Sequence, residues 1–234
     1  MKGPLLQAVG LTKTYPGGVR AVDRIDLEVA RGETLGIVGE SGCGKSTTAK
    51  MLLRLVDADA GAVAFDGVNI TKVRGKALRQ LRSRLQVVPQ DPRTSLNPRL
   101  TIGSSIGFNL RVHGVGHADR SVRIPELLDR VGLDPTYADR YPHEMSGGQL
   151  QRVAIARALA TGPDLVVCDE AVSALDKSVQ AQVLNLLAEL QRDLGVAYLF
   201  ISHDLAVVEH IADRVAIMYL GRIVEQGPAS SLWS

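Results

Sequence analysis

The chain has 234 residues, 45% of them hydrophobic and 22% charged, with a net charge of 27 − 25 = +2. These proportions exclude a disordered, collagenous or fibrous chain, and the small charge gives no case for nucleic-acid binding. Cys43 and Cys168, the two cysteines, cannot by themselves make a disulfide framework, a four-thiolate zinc site or an iron–sulfur cluster, and they suit a reducing compartment.

At about 150 residues per domain the length fits one large α/β domain with a small insertion. With 3 Phe, 5 Tyr and 1 Trp, the core must be built mostly from Val, Leu, Ile and Ala. The opening MKGPLLQAVGLTK lacks the apolar region of a secretory signal, and no stretch approaches the ~18 apolar residues of a membrane span. The expectation is a soluble, cytoplasmic chain.

In chain order, QAVGLTKTY and VRAVDRIDLEV alternate with period two around Pro16-Gly17-Gly18, which predicts an antiparallel hairpin. ETLGIVG is continuously apolar, as a buried parallel strand is. A helix is expected from about 45 to 55, a strand and turn over 61–70, a basic helix over 75–84, and a short buried strand at LQVVP. Residues 98–145, rich in Gly, Pro and His, read as an inserted, mostly helical subdomain with a helical piece at IPELLDRVGL. Beyond it, helix and strand alternate: helix 149–161, strand LVVCD, helix 178–194, strand VAYLFIS, helix 204–211, strand RVAIMYL. Such alternation predicts a parallel sheet flanked by helices.

The segment Gly39-Glu-Ser41-Gly42-Cys43-Gly44-Lys45-Ser46-Thr47 fits G-x-x-x-x-G-K-[ST] and stands between an apolar strand and a helix. Glycines let such a loop curl until backbone N–H groups point at phosphate oxygens, and the following helix adds its positive end. In that pattern Lys45 reaches the β- and γ-phosphates and the Ser46 hydroxyl ligates Mg²⁺. LVVCD then delivers Asp169 and Glu170 to the carboxyl edge of the sheet, where open α/β folds bind ligands. Successive strand residues face opposite ways, so Asp169 suits the Mg²⁺ shell and Glu170 the activation of water. Ser146-Gly147-Gly148-Gln149 opens a helix, a pattern that serves equally as a second anion site or as an ordinary helix cap. Cys168 reads as a small buried apolar residue. Cys43 lies in the loop, where a thiol reagent would block nucleotide sterically.

The phosphate loop, SGGQ, LVVCDE, Ser173-Ala-Leu-Asp176 and His203 in ISHD occur in this order, and together they strongly resemble the nucleotide-binding subunit of ATP-binding-cassette (ABC) transporters. The resemblance covers essentially all of residues 1–234 as a single nucleotide-binding domain. It implies an α/β P-loop NTPase fold of ABC type, with a parallel-sheet core, an N-terminal antiparallel β part and the inserted helical subdomain. In that family two ATP molecules are sandwiched in a head-to-tail dimer, each between one subunit's phosphate loop and the other's signature. The resemblance implies that Tyr15 stacks on adenine, that Gln90 touches Mg²⁺ or its water, that His203 contacts the γ-phosphate and Glu170, and that Asp176 lies at the dimer seam.

A narrower resemblance lies in QDPRTSLNP at 90–98, YPHEMSGGQ, SALDKSVQAQVLNLLAELQ and MYLGRIVEQG. These look like the ATPases of dipeptide, oligopeptide and nickel importers. That subgroup implies two transmembrane permease subunits, a second ATPase subunit, an extracytoplasmic binding protein and a peripheral place on the cytoplasmic face of the membrane. A non-transport ABC ATPase and an exporter subunit are the alternatives; one cassette without sustained heptads disfavours the first, and the 90–98 run disfavours the second. Ala171 and Met145 depart from the usual Pro and Leu of the family without removing a chemical group. Members of the subgroup usually carry a further C-terminal tail, whereas this sequence stops at Trp233-Ser234. Six basic residues between Lys72 and Arg84 read as a solvated helix face, and His113 and His117 make no firm metal spacing.

Overall fold

The computed structural model describes residues 3–232, so Trp233, singled out above, lies outside the described residues. In chain order the elements are β1 (Leu6–Tyr15), β2 (Val19–Val29), β3 (Thr34–Val38), α1 (Lys45–Leu52), β4 (Ala60–Phe65), β5 (Val68–Asn69), α2 (Gly75–Arg84) and β6 (Leu85–Val88). Then come α3 (Pro92–Ser95), α4 (Ile102–Val112), α5 (His117–Arg130) and two 3₁₀ turns at Pro135–Asp139 and Pro142–Glu144. The chain continues with α6 (Gly147–Leu159), β7 (Leu165–Asp169), α7 (Lys177–Leu194), β8 (Ala197–Ser202), α8 (Leu205–Ile211), β9 (Arg214–Tyr219), β10 (Arg222–Pro228) and α9 (Ala229–Leu232).

The strands form two sheets, ordered β2-β1-β4-β5 and β10-β9-β3-β8-β7-β6. The first is antiparallel throughout, its opening hairpin closed by Gly18 N–H donating to the Tyr15 carbonyl at 3.2 Å. The second is parallel except for β10. Its central strands are apolar on both faces because both faces are covered. Val166, Cys168, Tyr198 and Phe200 join the core beneath α4, α6 and α7. Leu165, Val167, Leu199 and Ile201 point the other way, into a second core shared with the antiparallel sheet and α1. Truncating Phe200, which is fully buried, would cost about 3–5 kcal/mol. Arg84 ties the sheets together, donating to Asp66 at 2.8 Å and Asp164 at 2.6 Å.

Four expectations need correction. Helix α1 stops at Leu52 rather than 55, because Arg54 takes a left-handed φ of 56° and turns the chain away. The helix expected at Ile124–Leu133 begins at His117, and Pro125 lies inside it. A proline suits a first helical turn, so the sequence suggested a start there, while the exposed, polar 117–123 gave no apolar period. Edge strand β10 was missed, since it is mostly exposed and shows no buried alternation. Strand β6 is apolar but only half-buried at Gln86 and Val87, as an edge position allows. Of the basic run, Arg84 is paired as above, Arg74 pairs with Asp57, and Arg82 donates to the Arg54 carbonyl. Among the described residues no helix is long and apolar enough to cross a membrane.

Candidate functional site

The segment after β3 curls because three glycines take left-handed or near-extended positive φ: Gly39 at 156°, Gly42 at 80° and Gly44 at 109°. A Cβ on Gly39 would overlap the Met218 carbonyl, and one on Gly44 would overlap the Ala21 carbonyl. Lys45 opens α1 with only 4% of its surface exposed. Its ammonium donates to the Gly39 carbonyl at 2.7 Å and the Glu40 carbonyl at 2.8 Å. Among the described residues it has no carboxylate within salt-bridge distance, so a positive charge sits buried and solvated only by carbonyl dipoles. Gly44, the N-cap of α1, supplies no side-chain cap, and the first turn holds no acidic residue. A buried cation beside an uncapped helix N-terminus is a donor set that fits a phosphate chain. Ser41 and Gly42 are exposed on the loop, and Thr47 is half-buried in α1.

Cys43 does not face the solvent as the sequence suggested. It is 6% exposed, with Sγ 3.9 Å from the Lys45 ammonium. The loop turns it inward because the Cys43 amide donates back to the Glu40 carbonyl at 3.3 Å. A thiol reagent therefore meets a covered sulfur.

Ser46 Oγ donates to Asp169 Oδ1 at 2.9 Å, joining the loop helix to the end of β7. Burial raises the Asp169 pKa, with the neighbouring Glu170 charge adding to the rise, while the Ser46 hydrogen bond and the charges of Lys50 and Lys45 oppose it. A carboxyl in this position gains from any cation placed beside it. The Ser46–Asp169 pair therefore fits a divalent-cation site.

Glu170 adopts φ 50°, an unfavourable left-handed conformation for a side chain of its size. Its amide extends the ladder by donating to the Ile201 carbonyl at 3.0 Å, and Ser173 caps the turn by donating its amide and hydroxyl to the Glu170 carbonyl at 3.1 and 2.9 Å. The turn brings the Glu170 carboxylate to two partners. Gln90 Nε2 donates to Glu170 Oε2 at 3.0 Å, and His203 Nδ1 lies 3.5 Å from the same oxygen. Gln90 follows β6 and His203 follows β8, so three neighbouring strands bring these residues to one carboxyl edge. Backbone strain held at a strand end makes Glu170 a candidate functional residue. Ser173, which the sequence reading gave no separate role, also meets Gln90 Nε2 at 3.4 Å; its place three residues after Glu170 was the available signal.

The other expected residues stand apart from this corner. Ser146 is the N-cap of α6, accepting from the Gln149 amide at 3.3 Å while its own amide donates to Gln149 Oε1 at 2.9 Å. In the single chain, then, the helix-cap reading of SGGQ is the one realised. A Cβ on Gly148 would overlap Val179 of α7, whereas one on Gly147 would make only ordinary contact with Leu175 Cδ2 at 4.0 Å. Asp176 caps α7, accepting from the Val179 amide at 3.0 Å and the Ser178 hydroxyl at 2.8 Å, which lowers its pKa. Tyr15 ends β1 as a residue 37% exposed, and the Lys13 ammonium lies 5.9 Å from the ring centre. Among the described residues no hydrogen bond links Ser146–Gln149, Asp176 or Tyr15 to the loop at 39–47. Cys168 is fully buried, its thiol pushed up to about 12 by desolvation. Ala171 and Met145 are both buried.

Residues 22–173 match the family model described as ABC transporter. The chain is 52% identical to a glutathione import ATP-binding protein, GsiA, of Pectobacterium atrosepticum, over 98% of this chain and 39% of that protein. It is also 52% identical to a probable peptide ABC transporter ATP-binding protein, y4tS, of Sinorhizobium fredii, over 100% of this chain and 69% of that one. The chain thus spans well under half the length of the glutathione-import relatives it matches. Among solved structures it resembles cbiO1 of Clostridium perfringens, part of the complex cbiONQ, with TM-score 0.90 and 29% identity over 98% of this chain and 90% of that one. The cassette MJ0796, in a dimeric post-hydrolysis state bound to ADP and Pi, matches with TM-score 0.86 and 28% identity over 96% and 98% of the two chains.

Proposed function

The chain belongs to the ABC transporter family, and from that premise we propose that it is the ATP-hydrolysing subunit of an importer that takes up peptides or a related small solute. The observation that carries this reading is the convergence at one sheet edge of Lys45, the Ser46–Asp169 pair, and Glu170 with Gln90 and His203. The peptide and glutathione transport named for the relatives at 52% identity supports the class of cargo.

In the proposed reaction the loop amides and Lys45 bind the phosphate chain of ATP, with Tyr15 against adenine. Ser46, Asp169 and Gln90 are the residues that would hold Mg²⁺, which when bound offsets the phosphate charge. The Glu170 carboxylate takes a proton from the attacking water, and the bond between the γ-phosphoryl group and ADP breaks. His203 and Gln90 hold Glu170 by the shared Oε2, and His203 donates toward the γ-phosphate. Gly39, Ser41, Gly42, Cys43, Gly44 and Thr47 complete the loop.

The second half of the site comes from another subunit. Ser146, Gly147, Gly148 and Gln149 of one chain cover the phosphate held by its partner, and Asp176 lies at the seam. The dimeric state named for MJ0796 supports this arrangement. The partner is a second ATPase subunit, identical or paralogous. Two transmembrane permeases and an extracytoplasmic binding protein complete the proposed assembly, which holds this subunit on the cytoplasmic face of the membrane.

ATP turnover and size-exclusion chromatography of Glu170→Gln test the reading together. The expected result is retained ATP binding, an ATP-stabilised dimer and almost no hydrolysis. Near-normal turnover in this variant overturns the assignment of Glu170. Co-purification from membranes, followed by ligand identification on the associated binding protein, tests the importer assignment, and a complex without permeases overturns it.

A further inference from the structure

The turn between β9 and β10 carries two features that sheet formation does not require. Leu220 takes φ 45° with 73% of its surface exposed, and Gly221 takes φ 81°. Two successive left-handed residues between the paired Tyr219 and Arg222 make a tight two-residue hairpin, where Asn-Gly would relieve the strain that Leu220 bears. This geometry aims the Gly221 amide at the phosphate loop, where it donates to the Cys43 carbonyl at 2.9 Å.

The hairpin is itself fixed from behind. The Gly221 carbonyl accepts from the Asp23 amide at 2.8 Å, and the Arg222 guanidinium donates to the buried Asp23 carboxylate at 2.7 Å. The same strand end reaches the loop twice more. The Met218 carbonyl occupies the space that a Cβ on Gly39 would need, and Met218 Cε does the same at Gly44. Met218 Sδ also lies 4.0 Å from Thr48 Oγ1 in α1. A loop that points its amides inward leaves carbonyls pointing outward, and these need partners. Here one partner, the Gly221 amide, comes from a residue far along the chain.

We infer that the β9–β10 hairpin, through Gly221 and Met218, is a positioning element that holds the phosphate loop in its anion-binding curl ahead of nucleotide. The inference rests on the nucleotide-binding reading above. Without the brace the loop is curled only part of the time, and affinity for any ligand of the curled form falls to that fraction of its intrinsic value. ATP and ADP should weaken together, because both use the loop, while adenosine, which makes no phosphate contact, should not change.

Two variants test this. In Gly221→Ala a Cβ is forced onto a left-handed residue 3.2 Å from the Arg20 and Ala21 carbonyls. Inserting one glycine between Leu220 and Gly221 lengthens the exposed turn and withdraws the amide without crowding. Hydrogen exchange of nucleotide-free protein should show the amides of residues 39–48 exchanging about tenfold faster in either variant, with β7 and β8 unchanged. Calorimetric titration should show ATP and ADP binding weakened by about tenfold each, with adenosine unaffected. If Gly221→Ala does not fold, the insertion variant decides. Unchanged exchange at 39–48, or faster exchange with unchanged ATP and ADP affinity, overturns the inference. A wild-type chain that binds neither nucleotide, with the exchange difference still present, overturns the nucleotide reading and leaves the brace standing.

Discussion

Two helices of this molecule carry glycine at their N-terminal ends, Gly44 just before α1 and Gly147-Gly148 opening α6, and they satisfy their first turns in opposite ways. Helix α1 has no side-chain cap, a left-handed Gly44 before it and a buried Lys45 facing backbone carbonyls. Helix α6 closes on itself, Ser146 and Gln149 exchanging reciprocal hydrogen bonds as a capping box. The uncapped end keeps its donors and its unneutralised charge for something else. The self-capped end already has partners for its first turn within one chain. The difference runs parallel to the two halves of the nucleotide site proposed above, one held within the subunit and the other offered to a partner.

Four experiments press on this contrast. The largest effect is expected from Glu170→Gln, which removes the proton acceptor at the preorganised end and should lower ATP turnover by about 10²–10⁴-fold, measured as phosphate release. Lys45→Ala should weaken ATP binding by about 10–100-fold in calorimetry, from the loss of charge-assisted hydrogen bonds to phosphate; unchanged affinity would mean that the uncapped end of α1 is not the phosphate site. Ser146→Ala breaks the capping box and should cost about 1 kcal/mol, lowering Tm by about 2–4 °C while leaving monomer affinity for ATP alone. A large loss of monomer affinity in that variant would place both ends in one site and collapse the distinction.

The smallest effect concerns pH. Burial raises the Asp169 pKa, so the folded chain holds that proton more tightly than the unfolded one. Its contribution to stability is therefore greatest below the unfolded value and is lost as pH rises through the raised folded value. Asp169→Asn should remove this dependence, raise the Tm of nucleotide-free protein slightly at neutral pH, and weaken Mg²⁺-dependent ATP binding. A Tm that falls instead would show that the Ser46 hydrogen bond outweighs the burial of the charge.

The sequence carried the phosphate loop, the two strand-end carboxylates and most strand and helix positions, because each has a local signature: glycine spacing, continuous apolar runs, or a period. It did not carry the inward turn of Cys43, which depends on the curl of the loop around it. Nor did it show that Ser146 and Gln149 satisfy one another in a single chain; the spacing suits a cap and an anion site equally. The two missed features share a cause. Exposed residues 117–123 of α5 and edge strand β10 bury little, so no hydrophobic pattern reported them. Gln90 and His203 were placed only by resemblance, and their meeting at Glu170 depends on strand order, which no local pattern encodes.

That strand order has a consequence for how the molecule assembles. Strand β3, which launches the phosphate loop, lies between β8 and β9, pairing Thr34 with Tyr198 and Val38 with Ile217. During synthesis the antiparallel hairpin of β1 and β2 is available early, whereas β3 waits with open edges until most of the chain has left the ribosome. Such non-local pairing slows folding and prolongs the exposure of an apolar strand. The loop on which the proposed chemistry depends is thus made well before the strands β8 and β9 that fix it in place.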